Sequence, residues 1–169
     1  MDVALGGTFD PVHDGHRKLF ERAFELGDVT VGLTDDDLAT QTRTGAADRP
    51  VRPFERRREA LDAELVSFAA EYDREYEIRT LREPTGIATE PQFGALVVSP
   101  ETTDGGERIN EIRHERGLDP LEIHVVDHVE AEDGGIISST RIVRGEIDEH
   151  GNLTPDAEGR QLVEGEDGT

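Results

Sequence analysis

Three observations predict an α/β protein, a parallel sheet with helices on both faces in one domain. Short apolar runs of strand type alternate along the chain with longer amphipathic helical patterns. The first run, Val3 to Leu5, leads into a glycine-rich turn and then a helix start. No internal repeat breaks the pattern, and 169 residues suit a single domain with a sizeable core. Crossovers between parallel strands should be right-handed.

After the first strand, Gly6 and Gly7 let the backbone turn sharply and let a ligand come close. Thr8 and Asp10 offer short polar side chains where the strand ends. His13 and His16 stand at the mouth of a helix with Leu19, Phe20, Ala23 and Phe24 on one face and Gly27 just past its end. Ligands of open α/β sheets bind off the carboxyl ends of the strands. A helix start there presents free N–H groups and a positive dipole to an anion. Two histidines added to that spot read as a phosphate-handling site. A lone histidine would read as a cap or a core group. Zinc would need more ligands, yet His114, His124 and His128 are scattered and the chain has no cysteine. His150 reads as surface.

Val29 to Leu33 is the second strand, and Thr34 to Asp37 a polar loop on the ligand side. Asp35, Asp36 and Asp37 read as a solvated acidic turn with a helix N-cap, since no EF-hand spacing accompanies them. Residues 40–52, with Gly45 and Pro50, read as a mobile loop. Its Arg43, Arg49 and Arg52 suit either an anion clamp or ordinary surface. Pro53 opens a long helix to about Tyr72, striped by Phe54, Leu61, Leu65, Phe68 and Tyr72. Arg56, Arg57 and Arg58 read as helix-surface partners of nearby glutamates.

Glu75 to Leu81 is the third strand, Glu83 to Phe93 a loop beside the site, and Ala95 to Val98 the fourth strand. Ser99, Thr102 and Thr103 close the fourth strand on the ligand side. A helix over Glu107 to Arg116 ends at Gly117, and Leu121 to Val126 is the fifth strand. The acidic loop Asp127 to Gly135 delivers Ile136, Ile137 and then Ser138, Ser139 and Thr140 ahead of Arg141. A plain N-cap needs one hydroxyl residue; three in a row favour phosphate binding. Thr154 to Thr169 reads as an acidic, partly disordered tail, leaving 1–153 as the domain. Asn152-Leu153-Thr154 matches a glycosylation sequon, but nothing suggests secretion.

The chain carries 39 acidic and 18 basic residues, a net charge of -21, with Lys18 its one lysine. Such a charge argues against a nucleic-acid partner, which requires a basic face. No cysteine framework, no apolar run of about 18 residues and no leader pattern are present, so a cytoplasmic protein without a membrane partner is expected. The acidic surface suits high salt, where a Debye length of about 3 Å at 1 M keeps carboxylates from repelling one another. Folding should therefore weaken in dilute buffer. Circular dichroism melts across a salt series check this, and an unchanged melting point from dilute buffer to molar salt would refute it.

The stretch GGTFDPVHDGH at 6–16, followed far downstream by ISSTRI at 137–142, resembles the signature of the nucleotidyltransferase superfamily, a glycine-rich turn followed by H-x-G-H. LTDDD at 33–37, ALVVSPET at 95–102 and GLDPLEIHVV at 117–126 are similar to the archaeal and eukaryotic type of phosphopantetheine adenylyltransferase. That resemblance spans most of residues 2 to 153 and, with the acidic surface, suggests a halophilic archaeon as source.

The resemblance implies a Rossmann-like sheet of five strands in order 3-2-1-4-5. It implies adenylyl transfer from ATP to 4′-phosphopantetheine, giving dephospho-coenzyme A and pyrophosphate, in a monomer or small homo-oligomer. Mg²⁺ would ride on the ATP phosphates, with no metal held by protein side chains. His13 and His16 would be catalytic. Gly7, Thr8, Phe9, His16, Ser99, Ile137, Ser138, Ser139 and Thr140 would bind the nucleotide. Thr8, Asp10, Thr34 and Arg43 would bind the acceptor, Arg43 standing in for a lysine of the bacterial enzymes. The bacterial basic pair after the fourth strand is replaced here by Ser99-Pro100-Glu101-Thr102.

Rival readings are an FAD synthetase or cytidylyltransferase of the same superfamily, or a non-catalytic nucleotide sensor. The intact histidine pair and ISSTRI argue against a dead enzyme. No G-x-G-x-x-G follows the first strand and no P-loop is present, which disfavours dinucleotide oxidoreductases and P-loop NTPases.

Overall fold

The computed structural model describes residues 1–42, 51–83, 87–143 and 145–153. Arg43, Arg49 and the proposed tail 154–169 lie outside the described residues.

Five strands form one sheet: β1 (Asp2–Gly7), β2 (Asp28–Thr34), β3 (Tyr76–Leu81), β4 (Phe93–Val98) and β5 (Glu122–Val125). Their order is β3-β2-β1-β4-β5 and every pairing is parallel, as the resemblance implied. Helices lie in the crossovers, α1 (Asp14–Leu26), α2 (Asp36–Thr42), α3 (Phe54–Tyr72) and α4 (Thr103–Glu115), and a short α5 (Ser139–Val143) follows β5. Among the described residues no helix is long and apolar enough to cross a membrane.

Side chains alternate across the sheet, and a separate core lies on each of its faces. Val3 and Leu5 of β1, Val29, Val31 and Leu33 of β2, and Ala95 and Val97 of β4 pack with Phe20 and Phe24 of α1 and Leu61 and Leu65 of α3. Ala4, Leu96 and Val98 face the other way, onto Ile109 of α4 with Leu81, Ile87 and Leu121. Each fully buried Val, Leu or Phe among them contributes about 1.5–3 kcal/mol. Phe24 stacks on Phe68 at a centroid distance of 6.0 Å, joining α1 to α3.

Three local readings change. Helix α2 occupies residues read as loop, because Asp35 caps it: Leu38 N–H donates to Asp35 Oδ1 at 2.8 Å. Helix α4 starts at Thr103, four residues before the expected Glu107, because a 3₁₀ turn over Pro100–Thr102 feeds it. Arg57 is no surface residue: it is 0 % exposed.

The order of strands puts a switch point between β1 and β4, whose neighbours leave the sheet in opposite directions. The turn after β1 and Ser99 after β4 therefore meet there.

Candidate active site

The turn after β1 is held by its own side chains. Phe9 has a φ of 50°, in the left-handed region, which costs a bulky residue about 1–2 kcal/mol. Its buried ring lies 5.5 Å from Phe20 and meets the edge of His16 at 4.8 Å. The following Asp10–Pro11 peptide is cis. Ser139 at the start of α5 donates its hydroxyl to Pro11 O at 2.8 Å, tying the two ends of the site together across the chain.

His13 is the N-cap of α1. Gly15 N–H donates to His13 Nδ1 at 3.0 Å, and His13 N–H donates to His16 Nδ1 at 3.2 Å. A backbone N–H can only donate, so each Nδ1 is an acceptor and each neutral ring carries its hydrogen on Nε2. The rings stack at 3.8 Å with 20° between planes. Burial, then the Arg17 charge, lowers the His13 pKa to about 4 against the pull of Asp14. Burial, then His13 and Arg17, holds His16 well below its ordinary value. Both imidazoles are thus neutral donors at neutral pH.

Gly15 is explained by the same contact. A Cβ there would lie 2.8 Å from His13 Cε1 and 3.0 Å from Nδ1. Gly15→Ala should push the His13 ring off its cap, although alanine is the better helix former. Turnover is expected to fall about 10- to 100-fold with the thermal melt nearly unchanged. Steady-state kinetics beside a melt check this; wild-type turnover would refute it.

Arg17, next to His16, carries a second set of ties. It donates to Asp14 at 2.8 Å, to Glu64 of α3 at 2.9 and 3.0 Å, and to Glu149 at 2.8 Å. Asp14 N–H donates to Glu149 O at 2.9 Å, so the chain beyond α5 packs onto the start of α1. The hydrogen bond to Glu64, the strongest of these influences, raises the Arg17 pKa and keeps a fixed cation beside the two rings.

A cavity of about 260 Å³ opens at the switch point. His13 and His16 line it, with Gly7 and Phe9 from the turn, Ser99 after β4, and Ile137, Ser138 and Ser139 before and in α5. Most of the expected nucleotide residues are therefore brought together. Ser138 also serves as an ordinary cap, its hydroxyl accepting Arg141 N–H at 3.2 Å. Ser99 N–H donates to Thr102 Oγ1 at 3.0 Å in a reciprocal cap. By helix geometry the amides of Ser139 and Thr140 have no partner within α5.

Thr8, Asp10 and Thr34 are not in the cavity wall; they form an adjacent polar cluster. The hydroxyls of Thr8 and Thr34 are 3.0 Å apart. Asp10, 4 % exposed, is engaged with Arg52. Arg43 lies outside the described residues. Asp127 and His128 also line the cavity, and neither was anticipated. Their one sequence signal is position, immediately past the fifth strand on the ligand side.

A family model described as cytidylyltransferase-like matches residues 4–145. The chain belongs to the cytidylyltransferase-like family. Among its relatives, the Methanosarcina barkeri protein named phosphopantetheine adenylyltransferase is 46% identical over 89% of this chain and 91% of its own length. The Archaeoglobus fulgidus protein of the same name is 44% identical over 90% of this chain and 99% of its own. A crystal structure of an Archaeoglobus fulgidus protein of unknown function superposes with a TM-score of 0.62 at 39% identity, covering 74% of this chain and 97% of that one.

Proposed function

We propose that this cytidylyltransferase-like protein transfers the adenylyl group of ATP to 4′-phosphopantetheine, giving dephospho-coenzyme A and pyrophosphate. The observation that carries the reading is the stacked imidazole pair: each ring is tied at Nδ1 by a backbone N–H and keeps an Nε2–H for the cavity it lines. The names and identities of the archaeal relatives support the choice of acceptor.

An oxygen of the acceptor's phosphate bonds to the α-phosphorus of ATP. The bond from that phosphorus to the oxygen shared with the β-phosphorus breaks, and pyrophosphate leaves with that oxygen. The attacking phosphate is already ionised, so no strong base is needed. Charge grows on the leaving group and on the α-phosphoryl oxygens, where fixed neutral donors help most. His16, with His13 beside it, donates there. Ser138 keeps its O–H to give while accepting from Arg141, and the amides of Ser139 and Thr140 hold the departing phosphates. The Ser139 hydroxyl is already given to Pro11, so that residue acts through its amide and as an anchor. Gly7, Phe9, Ser99 and Ile137 shape the wall.

Mg²⁺ is assigned to ATP itself, where it offsets the charge of the phosphates. The net charge of -21 supports a halophilic setting; a cytoplasmic monomer or small homo-oligomer completes the proposed reading.

Pyrophosphate release from Mg-ATP in high salt tests the assignment, with FMN and glycerol 3-phosphate as rival acceptors beside 4′-phosphopantetheine. Release with FMN alone would move the protein to FAD synthesis, and binding of ATP without release to any acceptor would make it a sensor.

A further inference from the structure

Residues 145–153 are fastened to both sides of the cavity, and among the described residues none of them lines it. One fastening is to the stretch that leads into α5. Ile147, 1 % exposed, packs with Ala131 and Ile137. Glu132 N–H donates to Gly151 O at 2.7 Å, and Leu153 N–H donates to Glu132 Oε1 at 2.9 Å. Asp148 closes the turn, its Oδ1 accepting from the N–H groups of His150 and Asn152 at 2.9 Å each. Gly151 is required there: its φ is 85°, and a Cβ would sit 2.9 Å from Ala131 Cα and 2.8 Å from Ile137 Cδ1. The turn therefore lies hard against Ile137, one residue before Ser138.

The other fastening is to the start of α1. Glu149 O accepts the Asp14 N–H, an amide that helix geometry leaves without a partner inside α1. Glu149 Oε1 accepts from Arg17 Nη2 at 2.8 Å, and His150 Nδ1 lies 3.1 Å from Asp14 Oδ1. Arg17 is the residue after His16, and it also reaches Glu64 of α3 through Nε and Nη2. Its fork thus joins α1, α3 and the turn at Glu149, a pattern that suits a planar guanidinium better than an ammonium. The charged and titratable groups gathered behind the histidine pair are Asp14 and Arg17 of α1, Glu64 of α3, and Glu149 and His150 of the turn.

We infer that Arg17 and Glu149 are a positioning pair, which sets the rings of His13 and His16 against the hydroxyl and amide donors of α5 from outside the cavity. The inference rests on the proposed function and deepens it. Transfer needs the ring donors and the α5 donors on one triphosphate at the same time. The bond from the Ser139 hydroxyl to Pro11 O ties the two sides near the cavity. The turn at 145–153 ties them again, behind it, and two ties hold an angle as well as a distance. A misplacement of about 1 Å costs on the order of 100-fold in rate. Arg17 acts through its charge as well: burial is the first cause that lowers both ring pKa values, and the cation adds to it.

Steady-state kinetics on the full chain in high salt, well below the melting temperature, test this beside NMR of the histidine rings. Mg-ATP and 4′-phosphopantetheine are varied separately. Arg17→Met should lower kcat about 10- to 100-fold and leave both KM values within about twofold. Glu149→Ala should lower kcat on the order of tenfold, and Glu149→Gln, which still accepts a hydrogen bond, should recover most of the loss. Arg17→Met combined with Glu149→Ala should be no slower than Arg17→Met alone, since the two residues act through one contact. In Arg17→Met the His13 midpoint should rise above about 4, because the cation is gone and Asp14 remains. A brace that serves stability alone lowers the melting temperature but leaves kcat of the folded protein and the His13 midpoint at wild-type values, and that result overturns the inference. Losses that multiply in the double variant overturn it too. A wild type that releases no pyrophosphate with 4′-phosphopantetheine overturns the proposed function; the His13 midpoint then decides the pair by itself, and an unmoved value overturns it.

Discussion

His16→Ala is expected to lower turnover by about 100- to 1,000-fold, the usual cost of one donor aimed at developing charge. The fold should survive. The substitution frees the His13 N–H from its 3.2 Å bond and removes a stacked ring, worth about 1 kcal/mol, or a few degrees of melting temperature. Kinetics and a melt on one preparation decide the matter; full turnover would end the catalytic role given to this ring. The donor must also be neutral. Ring resonances followed by NMR should place the His13 midpoint near 4 and that of His16 well below the ordinary 6.5. The sign of the stability effect follows. Between 6.5 and about 4 the unfolded chain holds a proton on residue 13 that the folded protein refuses. Its contribution is thus complete above pH 6.5 and is lost as the pH falls toward 4. A midpoint near 6.5 for either ring would mean a cation in the site and would refute neutral donation.

Arg57→Met is expected to cost about 3–5 kcal/mol of stability, or on the order of 10 °C in melting temperature. Methionine fills much of the volume but donates nothing. The carbonyls of Thr34 and Arg52, each held at 2.8 Å by this 0 % exposed side chain, would lose their donor at once. The ion pair itself matters less, since Asp36 is 64% exposed and returns to water. Arg57→Lys keeps the charge but reaches fewer of the carbonyls, so it should fall between the two. Chemical denaturation of the three proteins in the same high-salt buffer measures the differences. A methionine variant within about 0.5 kcal/mol of wild type would contradict this account of Arg57.

Two arginines whose burial the local sequence does not announce make the general point. Arg57 stands in an Arg-Arg-Arg run on a helix rich in glutamate, where pattern alone reads surface pairing. Arg113 stands in an ordinary polar helix. Both are buried, and both satisfy carbonyls from distant segments: Arg113 donates to Ala88 O, Glu90 O, Phe93 O and Asp119 O. Nothing local announces this, because the partners come from other strands and loops. Helix α2 was missed for a smaller reason: its Asp35 cap was legible, but the polar residues after it carry no apolar stripe. By contrast His13, Gly15 and His16 were legible as a group, because cap, ring and glycine all lie within one turn of chain.

What the sequence determined is whatever depends on neighbours in the chain: the alternation of strands and helices, the glycine turn, the capped helix start with its two histidines, and the hydroxyl start of α5. These follow from backbone geometry and periodicity over a few residues. The tertiary structure alone decided that Asp10 holds Arg52, that Ser139 spends its hydroxyl on Pro11, and that His128 reaches the cavity. Hydrogen bonds between segments tens of residues apart depend on which strand ends the sheet brings together, and no local pattern carries that distance.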